Sequence, residues 1–142
     1  MALYRNKVEL AGFLGDAPDI RYLPDGTATA TISLATTKRW KDKQSGQPKE
    51  RTEWHRVVFF KRTAEVAGEY LGKGSHIFVD GELRNRTYQD KDGITRYVTE
   101  IVGTFQMIDR KPVDNDKVPS PPKDDAPPVT ADDLPISDDI PF

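Results

Sequence analysis

The chain has 142 residues, the size of one ordinary domain, with 21 Lys and Arg against 23 Asp and Glu. It contains no Cys and only two His, which excludes disulfide scaffolds, zinc–thiolate sites and cysteine nucleophiles and argues against a His-built metal centre. The near-neutral total hides an asymmetry: residues 1–111 carry 19 basic and 15 acidic side chains, whereas residues 112–142 carry 2 and 8 and hold 8 of the 11 prolines.

The first residues lack the apolar core of a secretory signal, and no segment approaches 18 apolar residues. The expectation is a soluble cytoplasmic protein with no membrane partner. Val8 to Leu14 reads as a strand with Gly12 inside it, a position that often marks a bend or bulge. Gly15 to Asp19 breaks the strand and Ile20-Arg21-Tyr22 resumes it. Pro24-Asp25-Gly26 is a turn. From Thr27 to Thr37, Thr and Ser alternate with Ala, Ile and Leu, the period-2 pattern of a strand with one apolar face.

Lys41 to Thr52 is polar, contains Ser45-Gly46-Gln47-Pro48, and reads as a long loop. In the strand Glu53 to Phe60, alternation puts Trp54, Arg56, Val58 and Phe60 on one face and His55, Val57 and Phe59 on the other. A helix follows, with Thr63 as the expected cap, Val66, Ala67, Tyr70 and Leu71 as its apolar stripe, and Gly72 or Gly74 ending it. His76 to Tyr88 and Arg96 to Ile108 read as strands joined by a hairpin turn at Asp90-Lys91-Asp92-Gly93. Three strands, a helix and two strands match an all-β, five-stranded OB barrel with its helix between strands three and four; mixed α+β packing gives the same order. The sequence therefore divides into a folded body at 1–111, a disordered Pro/Asp-rich linker at 112–131 and an acidic tip at 132–142.

The chemistry concentrates between Lys38 and Arg62. These 25 residues hold nine basic and three acidic side chains and both tryptophans. Cations attract a phosphate backbone and exposed rings accept unpaired bases, so Trp40, Trp54 and Phe60 with Lys43, Lys49, Arg56 and Arg62 point to a single-stranded nucleic acid. An ordinary core with a solvated loop gives the same composition. Arg84, Arg86 and Tyr88 share a strand face with Asp80 and Glu82 and are candidates for a second wall of one groove. Enzyme signals are weak. Gly72-Lys73-Gly74-Ser75 lacks phosphate-loop spacing, and Asp80 with Glu82 makes a thin nuclease site, so no catalytic residue, metal or cofactor is expected. His55 faces away from Trp54 and Arg56, which suits an interior or subunit-contact role. At the C-terminus, Asp138, Asp139, Ile140, Pro141 and Phe142 join acids to a terminal aromatic carboxylate. That chemistry fits docking into an apolar pocket rimmed by cations, though an acidic tail also serves solubility.

Taken together, the chain resembles the bacterial single-stranded DNA-binding protein family, including its phage and plasmid members. The resemblance rests on Asn6-Lys7-Val8, Gly12, Gly15, Ile20-Arg21-Tyr22, Ala35-Thr36 and the run Thr52-Glu53-Trp54-His55-Arg56-Val57-Val58. It continues through Ala64-Glu65-Val66-Ala67, Tyr70 to Ser75, Gly81-Glu82-Leu83-Arg84, Arg96-Tyr97, Thr99-Glu100 and the tip Asp138 to Phe142. The family implies an OB-fold homotetramer that wraps single-stranded DNA and a tip that recruits replication, repair and recombination proteins. By position, Trp40, Trp54, Phe60 and Tyr88 resemble the stacking residues. Lys7, Lys43, Lys49, Arg56, Arg62, Lys73, Arg84 and Arg86 resemble phosphate contacts, and His55 resembles the subunit-interface histidine. Tyr88 stands where many members carry Trp. A protein–protein adaptor and a single-stranded RNA-binding OB module remain the alternative readings.

Overall fold

The computed structural model describes residues 2–108. The linker 112–131, the tip 132–142 and its Asp138 to Phe142 lie outside the described residues. Strands β1 (Val8–Leu14), β2 (Asp19–Tyr22), β3 (Ala28–Lys41) and β4 (Pro48–Phe60) precede helix α1 (Lys61–Tyr70), and β5 (His76–Gln89) and β6 (Thr95–Met107) follow it. The sheet order is β1-β5-β6-β4-β3-β2, and a further β1–β3 pairing closes it. Five strands thus make a closed barrel, with β2 added outside on β3. The OB-type expectation is met, with the helix entering after the long β3–β4 hairpin.

Closure depends on β1 changing partners. Val8 to Phe13 pair antiparallel with Gly81 to His76 of β5, while Phe13 and Leu14 also pair with Ala35 and Leu34 of β3. Gly12 sits at that crossing, where a Cβ would run into the Ala35 carbonyl, so the bend read from sequence is a close backbone approach. The far side closes on a short parallel contact, Val57 to Ile101 and Val58 to Val102.

The apolar face read at 27–37 is correct. Ala28, Ala30, Ile32 and Leu34 join Leu14, Val57, Phe59, Ile77, Val79 and Ile101 in one core. Ala64 and Ala67 of α1 and Leu71, which ends the helix, pack into it.

Four sequence expectations change. Asp19–Tyr22 does not resume β1 but pairs with β3, Ile20 opposite Ala30. The long loop at Lys41 to Thr52 shrinks to a turn at 42–47, because β3 and β4 run on in register as far as Lys41 opposite Pro48. Both faces of this protruding arm meet water, so its strands carry no apolar alternation to read. Cross-strand polar pairs, Arg39 Nε to Glu50 Oε2 at 3.2 Å and Thr37 to Thr52 at 3.1 Å, stand in for it. Thr63 does not cap α1: the helix begins at Lys61 straight from extended Phe60, with no side-chain cap. Lys61 makes the corner with a left-handed φ of 59°. Tyr70 leaves the expected stripe and is exposed, and Ala64 takes its place in the core. The glycine within α1, Gly68, lies where a Cβ would stand 3.3 Å from Ile20, so the helix crosses β2 at close range.

The turn after β5 forms as read. Asp90 N–H donates to the Ile94 carbonyl and Gly93 N–H to the Asp90 carbonyl, with Gly93 at φ 77°. The Arg96 guanidinium, and then the Ile94 amide, hold the Asp90 carboxyl below its usual range. The Gly72 to Ser75 segment is a tight turn tied to β1: Gly74 N–H donates to the Leu14 carbonyl and Leu14 N–H to the Ser75 carbonyl.

Candidate nucleic-acid interface

The outer face of β5, β6, β4 and β3 forms one surface. Four strands about 4.8 Å apart make it roughly 14 Å across. Strand alternation and pairing decide its contents. β3 contributes only small residues, Thr29, Thr31, Ser33 and Ala35, opposite Phe60, Val58, Arg56 and Trp54 of β4 respectively. Small side chains beside large ones leave relief along the sheet. Val58, Phe60 and Val102 form an apolar cluster in its middle.

On β5, Glu82, Arg84, Arg86 and Tyr88 lie opposite Val102, Glu100, Val98 and Arg96 of β6. Glu100 is fully buried between the arginines. Its Oε2 accepts from Arg56 Nε at 2.8 Å, its Oε1 accepts from Arg86 Nε at 2.9 Å, and Arg84 Nη2 stands 3.8 Å from Oε1. Three guanidiniums from two strands therefore meet one carboxylate from the strand between them, and the patch keeps an excess of positive charge. Arg84 also lies over Phe60, 5.8 Å from the ring centre.

The structure thus brings together Trp54, Phe60, Arg56, Arg84, Arg86 and Tyr88 on one sheet face. Trp40 departs from this face. The uninterrupted β3–β4 register sets Trp40 opposite Lys49 and Trp54 opposite Ala35, which places the two indoles on opposite faces of the ribbon. Trp40 is 44% exposed on the arm. Lys49 shares its face and lies 3.9 Å from Asp42, while Lys43 is exposed in the turn between the strands. Lys7 forms an ion pair with Glu9 at 3.0 Å, and Glu9 pairs with Asp80 on the face that carries Arg84. Arg62 pairs with Glu65 at 3.4 Å and, with Thr104 and Phe105, lines a cleft beside α1. Lys73 is exposed in the turn after α1. No group of three His, Asp or Glu able to hold a metal occurs among the described residues, and Asp80 and Glu82 gather no third ligand there.

Residues 5–108 match the model of the single-strand binding protein family. The chain belongs to that family. Single-stranded DNA-binding protein 1 of Xylella fastidiosa (strain 9a5c) is 52% identical over 128 residues, 90% of this chain and 94% of that protein. The solved Plasmodium falciparum SSB complex with ssDNA is similar with a TM-score of 0.69 and 32% identity, covering 77% of this chain and 99% of that one.

Within this family frame, His55 points away from the cationic face. It lies opposite Leu34, and its Nε2 is 2.9 Å from the Thr36 hydroxyl. Burial lowers its pKa, and the nearby Glu53 carboxylate opposes that in part. The residue that reading the charges missed is Glu100. Its signal was available: counting back from the turn at 90–93 sets it opposite Arg84, an acid flanked by Val98 and Val102 on the same face.

Proposed function

We propose that this protein binds single-stranded DNA without regard to base sequence and holds it during replication, repair and recombination, without catalysing a reaction. The observation that carries this reading is the concentration of Trp54, Phe60, Tyr88, Arg56, Arg84 and Arg86 on one sheet face. Guanidiniums supply phosphate attraction and rings supply stacking, about 1–3 kcal/mol per base. A duplex hides its base faces, so only an unpaired strand uses both. That a relative is named for single-stranded DNA, and that a similar structure contains it, supports the assignment.

The arm extends the surface. Trp40, Lys43 and Lys49 lie around its edge, so a strand leaving the Trp54 face meets them by wrapping over the ribbon. Lys7, Arg62 and Lys73 are further phosphate contacts along such a path. The working form is a homotetramer in the cytoplasm, at the nucleoid, with His55 at a subunit contact. The resemblance supports the tetramer, as do Leu83 and Tyr97, apolar side chains left exposed on the opposite face of β5 and β6. The tip Asp138 to Phe142 recruits replication, repair and recombination proteins through its terminal ring and carboxylate.

Competition tests the reading. Labelled oligo-dT bound to the full chain should be displaced by unlabelled single-stranded DNA of unrelated sequence and not by duplex of the same length. Displacement by duplex at equal concentration contradicts it. Preferential displacement by single-stranded RNA moves the assignment to an RNA-binding module.

A further inference from the structure

We infer that Glu100 is a positioning residue of the DNA face, a buried carboxylate that aims Arg56, Arg84 and Arg86 at the phosphates. The inference rests on the single-strand reading above.

The residue is unusual for its place. Glu100 is 0% exposed, and its neighbours on the same strand face are Val98 and Val102. A carboxylate is costly to bury unless it is paired and hydrogen-bonded, and an apolar side chain of similar volume often serves stability as well or better. Its partners are not ordinary surface cations either. The side chains of Arg86 and Arg56 are 8% and 15% exposed, and the two bind different oxygens of the same carboxylate through Nε.

That geometry has a consequence for phosphate recognition. A guanidinium is a planar fork, so a bond through Nε sets the direction of its whole Nη edge. Two forks from β4 and β5 are oriented by one group on β6, and Arg84 lies 3.8 Å from Oε1, the oxygen that binds Arg86. Without a central anion, three like charges flanking β6 from β4 and β5 would repel one another and spread. With it, a phosphate meets cations already in place. Ordering a long side chain in advance improves affinity by a few-fold to roughly tenfold per chain.

A purely electrostatic role predicts the opposite sign. Glu100 is an anion close to a polyanion, so neutralising it should tighten binding if position does not matter. Glu100→Gln keeps the shape and removes the charge. In the full chain we expect oligo-dT affinity at fixed salt to fall roughly tenfold or more, with the log affinity–log salt slope shallower by about 0.7 to 1.4, one or two phosphate contacts. Equal or tighter binding with an unchanged slope overturns the inference and leaves single-strand binding intact. A wild-type chain that does not bind oligo-dT overturns both. If Glu100→Gln does not unfold cooperatively, Arg86→Lys carries the test, because it keeps the charge and removes the fork. A shallower slope supports positioning, and unchanged affinity and slope contradict it.

Discussion

The Arg84 guanidinium lies over the Phe60 ring, 5.8 Å from its centre, so one face of that ring already carries a cation. Phe60 is only 9% exposed and packs with Val58 and Val102. Much of its ring is therefore packed from below, so its part in stability can be separated from its stacking on a base.

Phe60 and Trp54 should accordingly separate in two assays. Phe60→Ala is expected to lower unfolding stability by about 3 kcal/mol, as large-to-small changes at buried aromatics do. Trp54→Ala, at a half-buried position on the same face, is expected to lower stability by only about 1 kcal/mol and to weaken oligo-dT binding by about 1–3 kcal/mol. Urea denaturation and oligonucleotide titration of each variant check this. A Phe60→Ala protein of wild-type stability would show that the ring is a surface group.

The two indoles offer a geometric test. Trp40 stands five residues beyond Ala35, the partner of Trp54, which is about 17 Å along β3, and on the other face. Residues that far apart without shared partners should act independently. The affinity losses of Trp40→Ala and Trp54→Ala on a long oligo-dT should add to within about 0.5 kcal/mol. On an oligonucleotide too short to wrap the arm, the Trp40→Ala effect should vanish while the Trp54→Ala effect persists. Strong coupling between them would mean that both rings hold the same base.

His55 gives a pH dependence of definite sign. Its folded pKa lies below its ordinary value of 6.5, with burial the main cause. The unfolded chain therefore takes up the proton first as pH falls. Stability contributed by neutral His55 is complete above pH 6.5 and declines as pH falls from there through the folded pKa. Between pH 8 and pH 5 the urea midpoint should drop, and His55→Gln should flatten that drop. The carboxylates lowered in the fold, Asp25 and Asp90, lose their contribution only in more acidic solution, so they do not mimic it. A midpoint that rises toward pH 5 contradicts the assignment.

Removing Asp138 to Phe142 should separate the two proposed functions. Oligo-dT affinity is expected to persist or rise, because negative charge is lost, while capture of DNA-replication and repair enzymes from a matched lysate is expected to fail. Loss of DNA binding on this truncation would show that the tip belongs to the binding surface.

The sequence was most legible where one strand face is buried. Ala30 to Leu34 shows period 2 because Ala30, Ile32 and Leu34 are buried while water still reaches Thr31 and Ser33. It was least legible where burial gives no alternation. The arm, Lys38 to Lys41 with Pro48 to Thr52, has solvent on both faces and reads as a loop, although its pairing is unbroken. Strand β2 is four residues long, too short for a period to register, and its partner is set by the barrel. The cationic face was readable as a composition, but its organisation was not. Arg56, Arg84 and Arg86 come together only after β6 is placed between β4 and β5, and the carboxylate that joins them looks in sequence like one more surface acid. The same placement separates Trp40 from Trp54, which adjacency in a single basic segment does not reveal.

The central claim, that unpaired strands lie on a face of rings and cations, is tested most directly by tryptophan fluorescence during titration with oligo-dT at several salt concentrations. The account predicts saturable quenching, most of it lost in Trp54→Ala, and a log affinity that falls with log salt by about 0.7 per phosphate contacted. Binding that leaves the fluorescence unchanged, or an affinity indifferent to salt, would contradict it.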